Sequence, residues 1–220
     1  MNALRGIAAA VLLGLVLAQP TLAQDGMKSV GVRGGLNFAT LSGNLEFDTR
    51  TGFAIGAFGG LQFSELWGVQ VEVSYSQKGG KRSRLVVENN QSVTIEENFK
   101  ISYIEFQLPL VLVPKAGIDR LVPRIYAGPF ASFQLSCDYT LKSPISGETS
   151  ATCEEGFLPV IVELESLDYG FVFGVGADFN AAGGGLSADV RYAAGLANIT
   201  KGSDLNTQNI QVLLGYVYRF

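Results

Sequence analysis

The chain has 220 residues, of which 47% are hydrophobic and 16% charged, with 20 acidic side chains against 16 Lys and Arg, a formal net charge of -4 and no histidine. That hydrophobicity excludes a disordered chain, and the acidic surplus argues against a nucleic-acid partner. The missing histidine removes the commonest general base, the Ser-His and Cys-His nucleophile pairs and the usual neutral metal ligand.

Residues 1–23 read as a signal peptide. Arg5 supplies the positive n-region, Ile7 to Leu17 the apolar stretch, and Thr21-Leu22-Ala23 the cleavage site. The apolar run of about 11 residues is short of the roughly 20 that a spanning helix requires. The second segment, 24–220, is then one exported domain.

That domain alternates with period two. Val30, Val32, Leu36 and Phe38 interleave with Gly31, Arg33, Gly35 and Asn37; Phe53 to Phe63 form a second run. Trp67, Val69, Val71, Val73 and Tyr75 alternate with Gln70, Glu72, Ser74 and Ser76, and Ile104 to Leu112 with Glu105 and Gln107. A weaker run covers Leu121 to Leu135, where Tyr126 and Phe130 fall on the polar side. The last three run from Asp168 to Phe179, Leu186 to Leu196 and Ile210 to Phe220. Such alternation predicts strands, most of them about ten to thirteen residues long where soluble strands average five or six. The change of parity between Tyr103 and Ile104 predicts a bulge or an exit from the membrane.

No window beyond Ala23 holds 18 uncharged apolar residues, so helical spans are excluded, whereas a tilted strand crosses a bilayer with about 9 to 11 residues. Lipid accepts a sheet only when it closes and leaves no edge. The connections beginning at Ala39, Gly79, Ser136 and Ala197 are long; those at 64–66, 114–120 and 180–185 are short. The expected fold is therefore all-β: an eight-stranded, antiparallel, up-and-down transmembrane β-barrel in the bacterial outer membrane, with short periplasmic turns and long extracellular loops.

With apolar faces toward lipid, Arg33, Glu72, Glu105, Arg124, Asp168, Asp178, Asp189, Arg191 and Arg219 point inward. An eight-stranded barrel is just wide enough for side chains to fill, and buried charges must pair, so these nine are expected to form an interior polar network. Trp67, Tyr75, Tyr103, Tyr169, Tyr192, Tyr216 and Tyr218 are expected at the membrane interfaces, and Tyr126 in barrel packing. Cys137 and Cys153 share one polar stretch of an exported chain, so a disulfide is expected. Lys78, Lys81, Arg82 and Arg84 form a basic cluster suited to surface contact with lipopolysaccharide. Glu96-Glu97 and Glu154-Glu155 lack calcium-ligand spacing and read as solvated loop. No catalytic, cofactor-binding or metal motif stands out.

These residues resemble a known family. Gly31-Val32-Arg33-Gly34-Gly35-Leu36-Asn37-Phe38, Tyr75-Ser76-Gln77-Lys78-Gly79-Gly80, Tyr103-Ile104-Glu105-Phe106 with Pro109-Leu110, Ala127-Gly128-Pro129, Asp168-Tyr169-Gly170, and Arg191-Tyr192 with Gly195-Leu196 and Asn198-Ile199 occur in the order seen in the PorT-like outer-membrane β-barrel proteins of Bacteroidota. The cysteine-closed loop departs from that pattern. Phe220 resembles the terminal aromatic read by the barrel-assembly machinery, which would be a partner during biogenesis. The resemblance carries no catalytic residues. It leaves as expectations a non-enzymatic barrel acting through envelope structure or loop contacts, or a secretion accessory. A soluble ligand-holding barrel with aromatics inside and an outer-membrane lipid-modifying enzyme are weaker alternatives, the latter lacking G-x-S-x-G and S-x-x-K motifs.

Overall fold

The computed structural model describes residues 27–43, 47–88, 91–115, 120–153, 165–181, 184–199 and 205–220. The proposed signal peptide and the second acidic pair lie outside these. The strands are β1 (Met27–Gly43), β2 (Asp48–Gln62), β3 (Trp67–Glu88), β4 (Gln91–Gln107), β5 (Leu110–Leu112), β6 (Leu121–Ser143), β7 (Gly147–Thr152), β8 (Leu167–Ala181), β9 (Gly184–Gly195) and β10 (Leu205–Arg219).

All pairings are antiparallel, and they close a ring from β1 through β2, β3, β4, β6, β8, β9 and β10 back to β1. Among the described residues ten strands make eight staves. β5 bonds to the same two neighbours as β4, β3 and β6, so it continues that stave past Leu108-Pro109. Pro109 has no amide hydrogen to give a ladder, and the interruption sits there. β7 pairs with the far end of β6 and extends that stave as a hairpin.

Lys28 and Phe220 exchange backbone hydrogen bonds, so both ends of the ring lie together, on the side of the 63–66 turn. This is the periplasmic rim. At the opposite rim β3 and β4 continue as a hairpin to Glu88 and Gln91, and β6 and β7 run beside it. The strands outrun a membrane crossing, and the surplus forms a sheet outside it. Gly79 stands at the irregularity in β2–β3 pairing, between the Ala54–Ser76 and Thr49–Gly80 pairs. Its φ of +134° is one that L side chains rarely adopt, and a Cβ there would collide with the Phe99 carbonyl.

Val30, Val32, Ile55, Phe171, Phe173, Val175, Ile210, Val212 and Leu214 are all exposed on the outer wall. A soluble barrel with its aromatic faces turned inward is contradicted by this belt. Trp67, Tyr169, Tyr192, Tyr216 and Tyr218 also lie outside, whereas Tyr103 is buried in the lumen. The Tyr103 expectation is thus corrected: Ile101, Tyr103, Glu105 and Gln107 all face inward on one uninterrupted alternation. What changes at Tyr103 is the chemistry of the lumen, which turns apolar. A register shift does occur there, between Ser102 and Tyr103, but the extra residue, Leu135, is on β6. Beyond it β6 switches from even to odd residues facing inward, which turns Cys137 and Tyr139 to the inside.

Candidate functional site

The interior is built from the polar phase of each strand. β1 supplies Arg33, β3 Glu72 and Lys78, β4 Glu105 and Gln107, β6 Arg124, β8 Asp168 and Asp178, β9 Asp189 and Arg191, and β10 Arg219. Large inward rings fit because glycines face them: a Cβ on Gly174 would overlap the Tyr126 ring, and one on Gly31 the Phe58 ring.

The charged groups form a single ladder. From the periplasmic rim, Arg219 pairs with Asp178, Asp178 with Arg124 at 2.8 Å, and Arg124 with Asp189 at 3.1 Å. Asp189 meets Arg33 at 3.2 Å, and Arg33 pairs with Glu72, which also takes Arg191 at 2.9 Å. Arg191 donates to Gln107 at 3.0 Å, and Gln107 donates to Glu105 at 2.6 Å. Glu105 holds Lys78 at 2.8 Å, Lys78 reaches Asp168 at 3.2 Å, and Thr207 donates to Asp168 at 2.6 Å.

The signs alternate throughout: five cations (Arg219, Arg124, Arg33, Arg191, Lys78) face five carboxylates (Asp178, Asp189, Glu72, Glu105, Asp168). Desolvating one such ion costs several kcal/mol, and only close pairing with further hydrogen bonds offsets it. Each of these charges has a partner of opposite sign, so the ladder is electroneutral.

Lys78 is a correction. It is 0% exposed, enclosed by Glu105, Asp168 and the rings of Phe130 and Tyr103, with its ammonium 4.5 and 5.2 Å from the two ring centres. It cannot touch lipopolysaccharide. The parity of Gln70, Glu72, Ser74 and Ser76 continues to Lys78 and directs it inward. Of its proposed companions, Lys81 and Arg84 are exposed and Arg82 half-buried on the outer hairpin, and Arg84 is bound to Glu97 at 2.7 Å.

Above the ladder the lumen closes with an apolar plug of Leu41, Ile101, Tyr103, Cys137, Ile199 and Leu205. Cys153 packs on it and forms a disulfide with Cys137, their Cα atoms 5.4 Å apart. Just outside, the Phe99 ring meets Phe47 edge-on, with centroids 5.6 Å apart, and lies tilted against Tyr139 at 4.8 Å. Burial, aided by the nearby Glu97 carboxylate, pushes the Tyr139 phenol up to about 12. At the periplasmic rim Phe220 is exposed and stacked on Tyr218. Among the described residues no group of three or more potential ligands is placed to hold a metal.

Residues 18–201 match the family model described as the outer membrane protein beta-barrel domain. The chain belongs to that family. It is a protein of the bacterial outer membrane, and the apolar belt is its lipid-facing surface. No curated protein sequence matches it. Among solved structures it is similar to Neisserial surface protein A, at 14% identity over 89% of this chain and 100% of that one, with a TM-score of 0.48. A major outer membrane protein from Thermus thermophilus gives 13% identity, 90% and 100% coverage and 0.47. Ail, the attachment invasion locus protein of Yersinia pestis, gives 15%, 89%, 100% and 0.41.

Proposed function

We propose that this protein is a closed, non-conducting and non-enzymatic barrel whose work is done at its outer rim, by the sheet of β3, β4, β6 and β7 and the loops around it. The observation that carries this reading is the charge ladder. Among the described residues, paired side chains run along the lumen from Arg219 to Asp168 and the Cys137 plug caps them, which supports a barrel without a continuous aqueous path. Open aqueous channels belong to far wider barrels. What is left for contact is the outer sheet, with Leu85 and Val87 at 76% and 74% exposure near the hairpin tip and the basic Lys81 and Arg82 at its base. Lys81 and Arg82 are the residues of the basic cluster suited to anionic lipopolysaccharide headgroups. The PorT-like placement rests on the ordered motifs in the sequence.

Replacing 82–97 by a two-residue turn tests the reading. The trimmed barrel is expected to assemble in the outer membrane yet fail to restore the surface or envelope phenotype of a strain lacking the protein. Full restoration by the trimmed barrel would overturn it.

A further inference from the structure

The lumen is not filled to its periplasmic end. Beside the first members of the ladder, Arg219, Asp178 and Arg124, lies a cavity of about 240 Å³, open toward the periplasmic rim. That is the volume of roughly eight waters at about 30 Å³ each, and it falls under the usual 300–1,000 Å³ of sites for larger ligands. Lipids and drug-sized molecules are too big for it. Its wall is largely hydrocarbon, with Phe58, Val111 and Val217 prominent. Its charged lining is Arg124, Arg219 and Asp178, with Gln70 and Asn180 beside them.

The polar groups are unequally satisfied. Asp178 lies within ion-pair distance of Arg219 and of Arg124, which it shares with Asp189, while its Oδ1 has no hydrogen-bond partner among the described residues. Arg124 is 6% exposed, and its Nε is a buried donor without a hydrogen-bond partner among the described residues. Arg219 donates onward to the neutral amide oxygen of Asn180. The ladder therefore presents a cation as its last member at this mouth, whereas at its outer end it finishes on a carboxylate, Asp168. An apolar recess whose charged lining is two guanidiniums and one carboxylate suits a small anion carrying a hydrocarbon body, because planar N–H donors match a carboxylate well.

We propose that the periplasmic mouth is a binding site for a small amphipathic organic acid, whose carboxylate meets Arg124 and Arg219 and whose hydrocarbon lies against Phe58, Val111 and Val217. The site is independent of the outer rim and requires no passage through the barrel.

The full chain, reconstituted in lipid nanodiscs with methyl-labelled valine, would be titrated with 3-phenylpropionate and, separately, with the neutral 3-phenylpropanamide, which partitions more readily into lipid. Saturable shifts of the Val111 and Val217 signals with the acid, and none that saturate with the amide, are expected. Since a hydrogen bond to a charged group contributes about 1.5–3 kcal/mol, Arg219→Gln should weaken the acid about tenfold or more, while Arg84→Gln on the outer hairpin should leave its affinity unchanged. Equal saturation by acid and amide, a response to the acid that never saturates, or wild-type affinity in a folded Arg219→Gln variant would overturn the proposal. Should Arg219→Gln fail to assemble, the acid-against-amide comparison on the unaltered protein still decides it. None of these results bears on whether the barrel conducts or on the outer hairpin.

Discussion

The two ends of the lumen are closed by opposite means. The outer end is stoppered by hydrocarbon, with Ile101, Tyr103, Leu41, Ile199 and Leu205 around the Cys137–Cys153 bond. Toward the periplasm the filling is ionic, and its first members, Arg219, Asp178 and Arg124, leave a recess beside them. Apolar packing is non-directional and tolerates substitutions that keep volume, whereas a buried ladder fails when one rung is removed, because the surviving charge stays buried without its partner. The ionic end is therefore the brittle one and the outer end the tolerant one.

The most damaging test of that contrast is Glu72→Gln. It removes the carboxylate shared by Arg33 and Arg191 and should cost about 3–5 kcal/mol, read as a lower urea midpoint for the shift between folded and unfolded bands on unboiled gels. Removing both a cation and a carboxylate, as in Lys78→Met with Glu105→Gln, should cost less than the single Lys78→Met. A larger loss in the double variant would contradict the pairing. Cys153→Ser opens a loop spanning 16 positions. It should cost about 3 kcal/mol and expose 136–153 to protease while the membrane-embedded staves stay folded.

A smaller effect belongs to Tyr139, whose phenol is raised by burial to about 12. Because the folded value lies above that of a free tyrosine, near 10, its contribution to stability holds below pH 10 and is lost as the pH rises through 12. Ultraviolet titration should show one tyrosine absent in Tyr139→Phe ionising near 12. The smallest effect is expected at the periplasmic turn. There Lys115 hydrogen-bonds Glu65 at 2.8 Å and holds its carboxyl below the usual range, but both side chains are exposed. Glu65→Gln should leave the urea midpoint where it was, as exposed pairs usually do.

These contrasts mirror what the sequence shows and hides. Inside the hydrocarbon region lipid enforces greasy residues on one phase, so Gln70, Glu72, Asp178, Asp189 and Arg191 can be assigned to the interior from alternation alone. Above the membrane that pressure ends. Gln77 and Lys81 on the outer phase are as polar as Lys78 on the inner one, so the period vanishes and Lys78 reads as surface. The same loss conceals the plug: Ile101 and Tyr103 look lipid-facing because an apolar lumen and a lipid face carry one signature. Tyr126 and Phe130 gave the clearer hint, being aromatic on the phase that Arg124 and Ser132 mark as interior. Neither the extra residue at Leu135 nor the order of partners along the ladder can be read from spacing, since both depend on register and stagger between staves. The cavity beside Arg219 is equally invisible, because it is made by what the glycines leave out.

If paired charges and a hydrocarbon stopper seal the lumen, planar-bilayer recording of the purified protein will show it. A baseline without stable open levels is expected for the unaltered protein. Reproducible, long-lived and large single-channel steps from it would contradict the sealed interior.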